Sequence, residues 1–184
     1  MKLCVYCGSS SGNMPEYCDA ARSFARSMVQ RKINLVYGGA DLGLMKIIAD
    51  TVLEGGGHVT GVIPEHQAQE RAHRSLSKLH VVNSMHQRKT MMFELSDACV
   101  ALPGGFGTIE ELSEMLTWAQ LGLHTHPCGL LNIRGYFDHF IHFIDNAVFE
   151  GFIKPAHRNM LLVAESAEEL FEKFESYSAP KEPK

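Results

Sequence analysis

The run Ala98-Cys99-Val100-Ala101-Leu102-Pro103-Gly104-Gly105-Phe106-Gly107-Thr108-Ile109-Glu110-Glu111 decides the fold. Its first five residues are small or apolar and uncharged, as a strand buried on both faces requires. A proline and two glycines end that strand, and a helical pattern follows at once. A strand that turns through glycine straight into a helix is the repeating unit of a parallel sheet.

The same alternation runs through the whole chain. Short apolar stretches at Leu3 to Cys7, Asn34 to Tyr37, His58 to Ile63, His80 to Val82, Ala98 to Leu102, Cys128 to Ile133 and Leu161 to Val163 read as strands. Longer stretches of helical period run from Pro15 to Gln30, Leu42 to Glu54, Met85 to Leu95, Thr108 to Leu121, Tyr136 to Glu150 and Ala167 to Tyr177. The fold class is α/β, with an open parallel sheet of about seven strands and helices on both faces. The length of 184 residues suits one domain, taken as 1–177, and the proline- and lysine-rich 178–184 reads as a disordered tail.

Composition narrows the function classes. Hydrophobic residues make up 45% and charged residues 21%, so a packed core is expected. A net charge of -4 and a pI near 6.2 argue against a nucleic-acid partner, because such binding draws on clustered Lys and Arg. Met1 to Val5 enters a strand pattern directly, without a signal-like apolar region, so a cytoplasmic protein with no membrane attachment is expected. The five cysteines read as small core residues. Cys4 and Cys7 have the spacing of a metal or redox pair, but residues three apart on a strand face opposite sides and a second pair is absent.

Several strands end in glycine or small polar residues: Gly8 to Gly12, Gly38 to Ala40 and Pro103 to Gly105. Ligands of open α/β sheets bind beyond the carboxyl ends of the strands, so these turns should converge on one crevice. The polar interval Pro64 to Ser77 reads as a loop over it. At Gly104, Gly105, Gly107 and Thr108 the backbone can approach an anion closely, and the following helix offers unpaired N–H groups: a phosphate cradle. Thr108 with Glu111 three residues later also fits a capping box, which explains the Thr and the Glu but not the glycines. The loop lacks the Lys-Ser/Thr ending of a triphosphate loop and the glycine spacing of a dinucleotide fingerprint.

Met85-His86-Gln87-Arg88-Lys89 places two cations in a first helical turn, where the helix dipole disfavours them. An anionic ligand would offset both, with Arg88 as a planar fork and Lys89 as a point charge. Of the ten histidines, His86 and His73 are nearest these motifs, and exposure or a structural hydrogen bond accounts for either. No histidine grouping has a metal-site pattern, and neither metal nor cofactor is expected. Met91, Met92 and Phe93 read as the buried face of their helix, and Trp118 as a packing anchor.

On Cys7 to Ser10, Val36 to Gly39 with Gly43 to Met45, Met85 to Lys89, Pro103 to Glu111 and Thr117 to Gly122, the chain strongly resembles the Lonely Guy (LOG) family of cytokinin riboside 5′-monophosphate phosphoribohydrolases. Members of that family were formerly labelled possible lysine decarboxylases. The resemblance implies a Rossmann-like homodimer that releases free base and ribose 5-phosphate from a nucleoside 5′-monophosphate, as an AMP nucleosidase also does. It implies Arg88 and Glu111 as catalytic residues. Substrate contacts would come from Ser9, Gly39, Met45, Glu70, Arg88, Lys89, Gly104, Gly105, Phe106, Gly107, Thr108, Ile109, Glu110, Glu111 and Thr117. Phe106 stands where the family commonly has Tyr, which bears on the choice of base. Glycosidic cleavage passes through an oxocarbenium-like state that a carboxylate can stabilise, whereas a guanidinium keeps its proton and serves to hold charge. The rival on the same fold is a non-catalytic nucleotide or molybdenum-cofactor carrier. A decarboxylase would need a pyridoxal-phosphate lysine context that is not visible.

Overall fold

The structure, a computed structural model, describes residues 1–180. Seven strands form one sheet: β1 (Lys2–Tyr6), β2 (Asn34–Tyr37), β3 (Val59–Pro64), β4 (Lys78–Val82), β5 (Ala98–Ala101), β6 (Cys128–Leu131) and β7 (Leu161–Ala164). Every pairing is parallel and the spatial order is β4-β3-β2-β1-β5-β6-β7. The helices are α1 (Pro15–Gln30), α2 (Gly43–Glu54), α3 (Glu65–Arg71), α4 (Met85–Glu94), α5 (Phe106–Gln120), α6 (Asp138–Phe149), α7 (Pro155–Arg158) and α8 (Ala167–Ser176).

The two-residue period of a strand divides the core in two. Leu3 and Val5 of β1, and Cys7 just after it, enter one cluster with Phe24 and Met28 of α1, Ile48 and Val52 of α2, and Phe171 of α8. Cys4 and Tyr6 enter the other, with Met92 of α4, Leu112 and Met115 of α5, and Phe137. Each fully buried Leu, Val or Phe contributes about 1.5–3 kcal/mol relative to exposure, which is why short central strands suffice. Phe24 and Phe171 stack with ring centroids 5.6 Å apart and join α1 to α8. Cys4 and Cys7 thus lie on opposite faces of the sheet. Burial pushes the Cys4 thiol up to about 12 and the Cys7 thiol higher still, so both stay protonated.

Several sequence expectations need correcting. Pro64 to Ser77 is not all loop, since Glu65–Arg71 forms α3, a helix with no buried residue. It lacks an apolar stripe, so periodicity gave it no signal. Of Met91, Met92 and Phe93 only Met92 is fully buried, because consecutive helical residues point about 100° apart. The strand expected to reach Ile133 stops at Leu131, and Ile133–Gly135 is a 3₁₀ turn holding Arg134 at φ 56°. The helix expected from Tyr136 starts at Asp138. Of the expected tail, 178–180 has neither helix nor strand, and 181–184 lies outside the described residues.

Candidate active site

The chain order reverses between β1 and β5, the place where an open α/β sheet splays its loops to leave a crevice. The Gly8 N–H donates to the Pro103 carbonyl at 3.0 Å, tying the β1 loop to the β5 loop. The Gly8 carbonyl accepts from the Leu44 N–H at 3.0 Å and so holds the first turn of α2. Gly43, at φ +53°, lies so close that a Cβ would stand 2.4 Å from the Ser9 carbonyl carbon. Three glycine turns are thereby locked around one crevice of about 280 Å³, at the lower limit for small-molecule sites.

Helix α5 enters this crevice by its N-terminus. Its N-cap is Gly105, and no side chain caps it. The expected capping box is therefore absent: the helix starts at Phe106, which puts Thr108 inside its first turn. There Thr108 is buried and packed over Gly104, where a Cβ would stand 2.1 Å from Thr108 Oγ1. The uncapped N–H groups of the first turn and the positive dipole end are left for an anion.

One and a half turns further on, Glu111 is buried against Arg88 of α4. Glu111 Oε1 lies 3.1 Å from Arg88 Nη1, with side chains 9% and 12% exposed. The alignment is too poor for a hydrogen bond, and Glu111 Oε1 has no hydrogen-bond partner. Burial raises the Glu111 carboxyl above its ordinary range, and the opposing pull of Arg88 does not cancel this. A buried carboxylate so perturbed, in a cleft, has the character of a functional group. Arg88 is held from its other side by a 3.2 Å hydrogen bond from Nε to the Val62 carbonyl. It packs against Gly38, where a Cβ would come within 2.2 Å of Arg88 Nη2. Gly38 is thus the space the guanidinium needs.

Of the expected contact residues, Ser9, Met45, Arg88, Gly105, Phe106, Gly107, Thr108, Glu110 and Glu111 line the crevice. The rest stand elsewhere. Lys89 points to α5, where it pairs with Glu110 and, at 3.0 Å, with Glu114. Burial works against its ammonium, but the two carboxylates outweigh that and raise its pKa. The two cations at the start of α4 are therefore neutralised chiefly by α5 carboxylates. Gly39 packs on β3, Gly104 faces the far side of its loop, and Ile109 packs into the core. Glu70 lies in a neighbouring cleft with Lys46 and His73, and Thr117 lies on the outer face of α5. His73 is buried, its Nε2 2.8 Å from Asp50 Oδ1, and His86 is exposed.

Sequence reasoning passed over Gln67 and Arg71 of α3, and Leu42 and Met85, all of which line the crevice. Gln67 and Arg71 are four residues apart and share a helix face, the one signal their sequence carries. The Arg71 carbonyl accepts from the Asp41 N–H at 2.8 Å, which draws α3 over the crevice.

Fold and crevice together define an α/β protein with an uncapped helix N-terminus and a buried carboxylate in one crevice at the switch point of its sheet. The family model described as "Possible lysine decarboxylase" matches residues 45–174. The chain is 51% identical to the probable cytokinin riboside 5′-monophosphate phosphoribohydrolase LOG6 of Arabidopsis thaliana, over 95% of this chain and 88% of that protein. It is 50% identical to LOG1 of the same plant, covering 96% and 83%, and 49% identical to LOGL9 of Oryza sativa, covering 96% and 78%. This chain belongs to the LOG family, whose model carries the lysine decarboxylase description. Among solved structures, the molybdenum cofactor binding protein of Rippkaea orientalis superposes with a TM-score of 0.71 at 19% identity, covering 95% of each chain. The molybdenum cofactor carrier protein of Chlamydomonas reinhardtii gives 0.71 at 18%, again covering 95% of each. At such identity these two show a shared Rossmann-like fold and nothing of function.

Proposed function

We propose that this chain hydrolyses the N-glycosidic bond of a nucleoside 5′-monophosphate, cytokinin riboside 5′-monophosphate or AMP, to free base and ribose 5-phosphate. The observation that carries this reading is Glu111: a buried carboxylate with one oxygen free of hydrogen bonds, in the same crevice as an uncapped helix N-terminus. The 5′-phosphate sits on the N–H groups of the Gly105–Thr108 turn, and the ribose lies between that turn and Glu111.

Cleavage breaks the bond from C1′ to the base nitrogen and leaves positive charge on the sugar. Glu111 stabilises that charge and takes a proton from the water that adds to C1′, while the base leaves with the bonding electron pair and takes up a proton from solvent. Burial, which raises its carboxyl, makes Glu111 a stronger proton acceptor than an exposed carboxylate. Arg88 keeps its proton and acts by holding charge. Met45, Leu42 and Met85 supply apolar surface for a base, with Gln67 and Arg71 above it. The relatives' names support the reaction.

We also propose that residues 1–177 act as one domain within a homodimer. Helix α6 is rich in Phe and Ile, yet none of its residues is buried, and Phe143, Phe149 and Phe152 are 65%, 85% and 87% exposed. A patch of that kind marks an association surface. Thr117 lines a cleft beside it with Phe140, Ile144 and Ile153, so it would reach a substrate only in the partner's crevice. A cytoplasmic location is supported by five free cysteines, and no described helix is long and apolar enough to cross a membrane.

The test is incubation with AMP and with isopentenyladenosine monophosphate, following free base. Release that Glu111→Ala abolishes supports the mechanism, and unchanged release removes Glu111 from it. Tight binding of both nucleotides without release favours a carrier.

A further inference from the structure

Behind the phosphate cradle, on the side away from Glu111, the Tyr136 hydroxyl donates a 2.7 Å hydrogen bond to the Gly104 carbonyl. The Gly104–Gly105 peptide is trans, so its carbonyl and its N–H point in opposite directions. A carbonyl aimed at Tyr136 therefore aims the Gly105 N–H away from Tyr136. Gly105 separates two clefts: one holds Tyr136, and the other is the crevice with Arg88 and Glu111. Glycines on both sides of this peptide leave it little intrinsic preference for either orientation.

The segment that presents Tyr136 is braced beyond what a surface turn needs. Arg134 holds a left-handed conformation, φ 56°, and its Nη1 bonds Glu16 Oε1 at 2.7 Å on α1. Gly135 is at φ +68°, with room for no Cβ: one would stand 2.4 Å from Asp138 Oδ2. The buried Asn132 accepts from the Phe137 N–H at 2.8 Å, donates to Asp138 Oδ1 at 2.7 Å, and bonds the Ala164 carbonyl through its own N–H. The Tyr136 ring meets Tyr17 edge-on at 5.7 Å and Phe137 at 4.8 Å. A left-handed Arg134, a glycine turn and a buried amide thus fix where one phenol stands.

We propose that Tyr136 is a positioning residue for the phosphate site: its hydroxyl sets the Gly104–Gly105 peptide so that the Gly105 N–H faces the crevice. This rests on the reading of that turn as the seat of a 5′-phosphate. Tyr136 itself touches no substrate and acts through one peptide plane.

The test is Tyr136→Phe, which keeps the ring contacts and removes only the hydroxyl. Calorimetric titration compares AMP and ribose 5-phosphate, which carry the phosphate, with adenosine, which lacks it. Affinity for the two phosphate esters is expected to fall roughly five-fold, the usual weight of one hydrogen bond, while adenosine binding is unchanged. In turnover the loss falls on KM and spares kcat. Equal weakening for AMP and adenosine, or no change for either, overturns the proposal. If the wild-type chain binds ribose 5-phosphate but cleaves no nucleotide, the hydrolase reading fails alone and Tyr136 is judged on ribose 5-phosphate. If it binds neither ester, both readings fail.

Discussion

Removing both partners of the Arg88–Glu111 pair should destabilise the protein by well under the sum of removing each alone. With side chains only 12% and 9% exposed, each charge depends on the other for compensation. Arg88→Met leaves a buried carboxylate whose Oε1 already lacks a hydrogen bond, at a cost of about 3 kcal/mol, the lower end for a broken buried pair because the crevice admits water. Glu111→Gln leaves a guanidinium that still donates to the Val62 carbonyl, so its cost is about 1–2 kcal/mol. The double variant should cost about 2 kcal/mol, well short of the sum, giving a coupling of about 2 kcal/mol.

The pH dependence separates this from simple packing loss. Glu111 has a folded pKa above its unfolded value, so the folded chain holds the extra proton and stability falls as pH rises from the ordinary carboxylate range upward. Losing Arg88 removes the group that opposes this rise and deepens the effect, by about 1.36 kcal/mol for each further unit. The Arg88→Met deficit is therefore expected to be largest near pH 8 and smaller near pH 5. Urea unfolding of the four proteins at both pH values is the assay. Additive single costs, or an Arg88→Met deficit that grows on acidification, would refute the reasoning.

Gly38→Ala places a methyl where Arg88 Nη2 lies, 2.2 Å away. Because a guanidinium can swing aside, stability should fall by no more than about 1–3 kcal/mol while kcat/KM drops at least ten-fold. A melting curve beside a free-base assay reads both, and full activity in a folded variant would contradict the packing described. Phe149→Asp puts a charge at the most exposed large apolar side chain of α6, 85% exposed, and should yield monomers without loss of secondary structure. Light scattering with circular dichroism checks this, and an unchanged oligomer would place the interface elsewhere.

What could be read in the sequence was whatever local chemistry fixes. Uncharged apolar runs and glycine turns set the strand count, the parallel class and the convergence of Gly8, Gly38 and Gly105 on one crevice. Local rules failed where a choice between two local solutions was made by distant residues. Thr108 and Glu111 satisfy the spacing of a capping box, yet the N-cap is Gly105, three residues earlier, and Thr108 lies inside the first turn, packed over Gly104. Arg88 and Lys89 are adjacent and alike in charge, but about 100° of helical rotation sends one to Glu111 in the crevice and the other to Glu110 and Glu114. α3 gave no periodic signal, because what holds it is the backbone bond from Asp41 to the Arg71 carbonyl and the buried His73–Asp50 contact, not an apolar face. The sequence by itself determined the layers of the fold and the two residue types its chemistry needs, since periodicity and glycine conformations are local properties. Only the tertiary structure decided which cation meets the carboxylate, what covers the crevice and which hydroxyl stands behind the Gly104 peptide, because burial and pairing are relations between residues far apart in the chain.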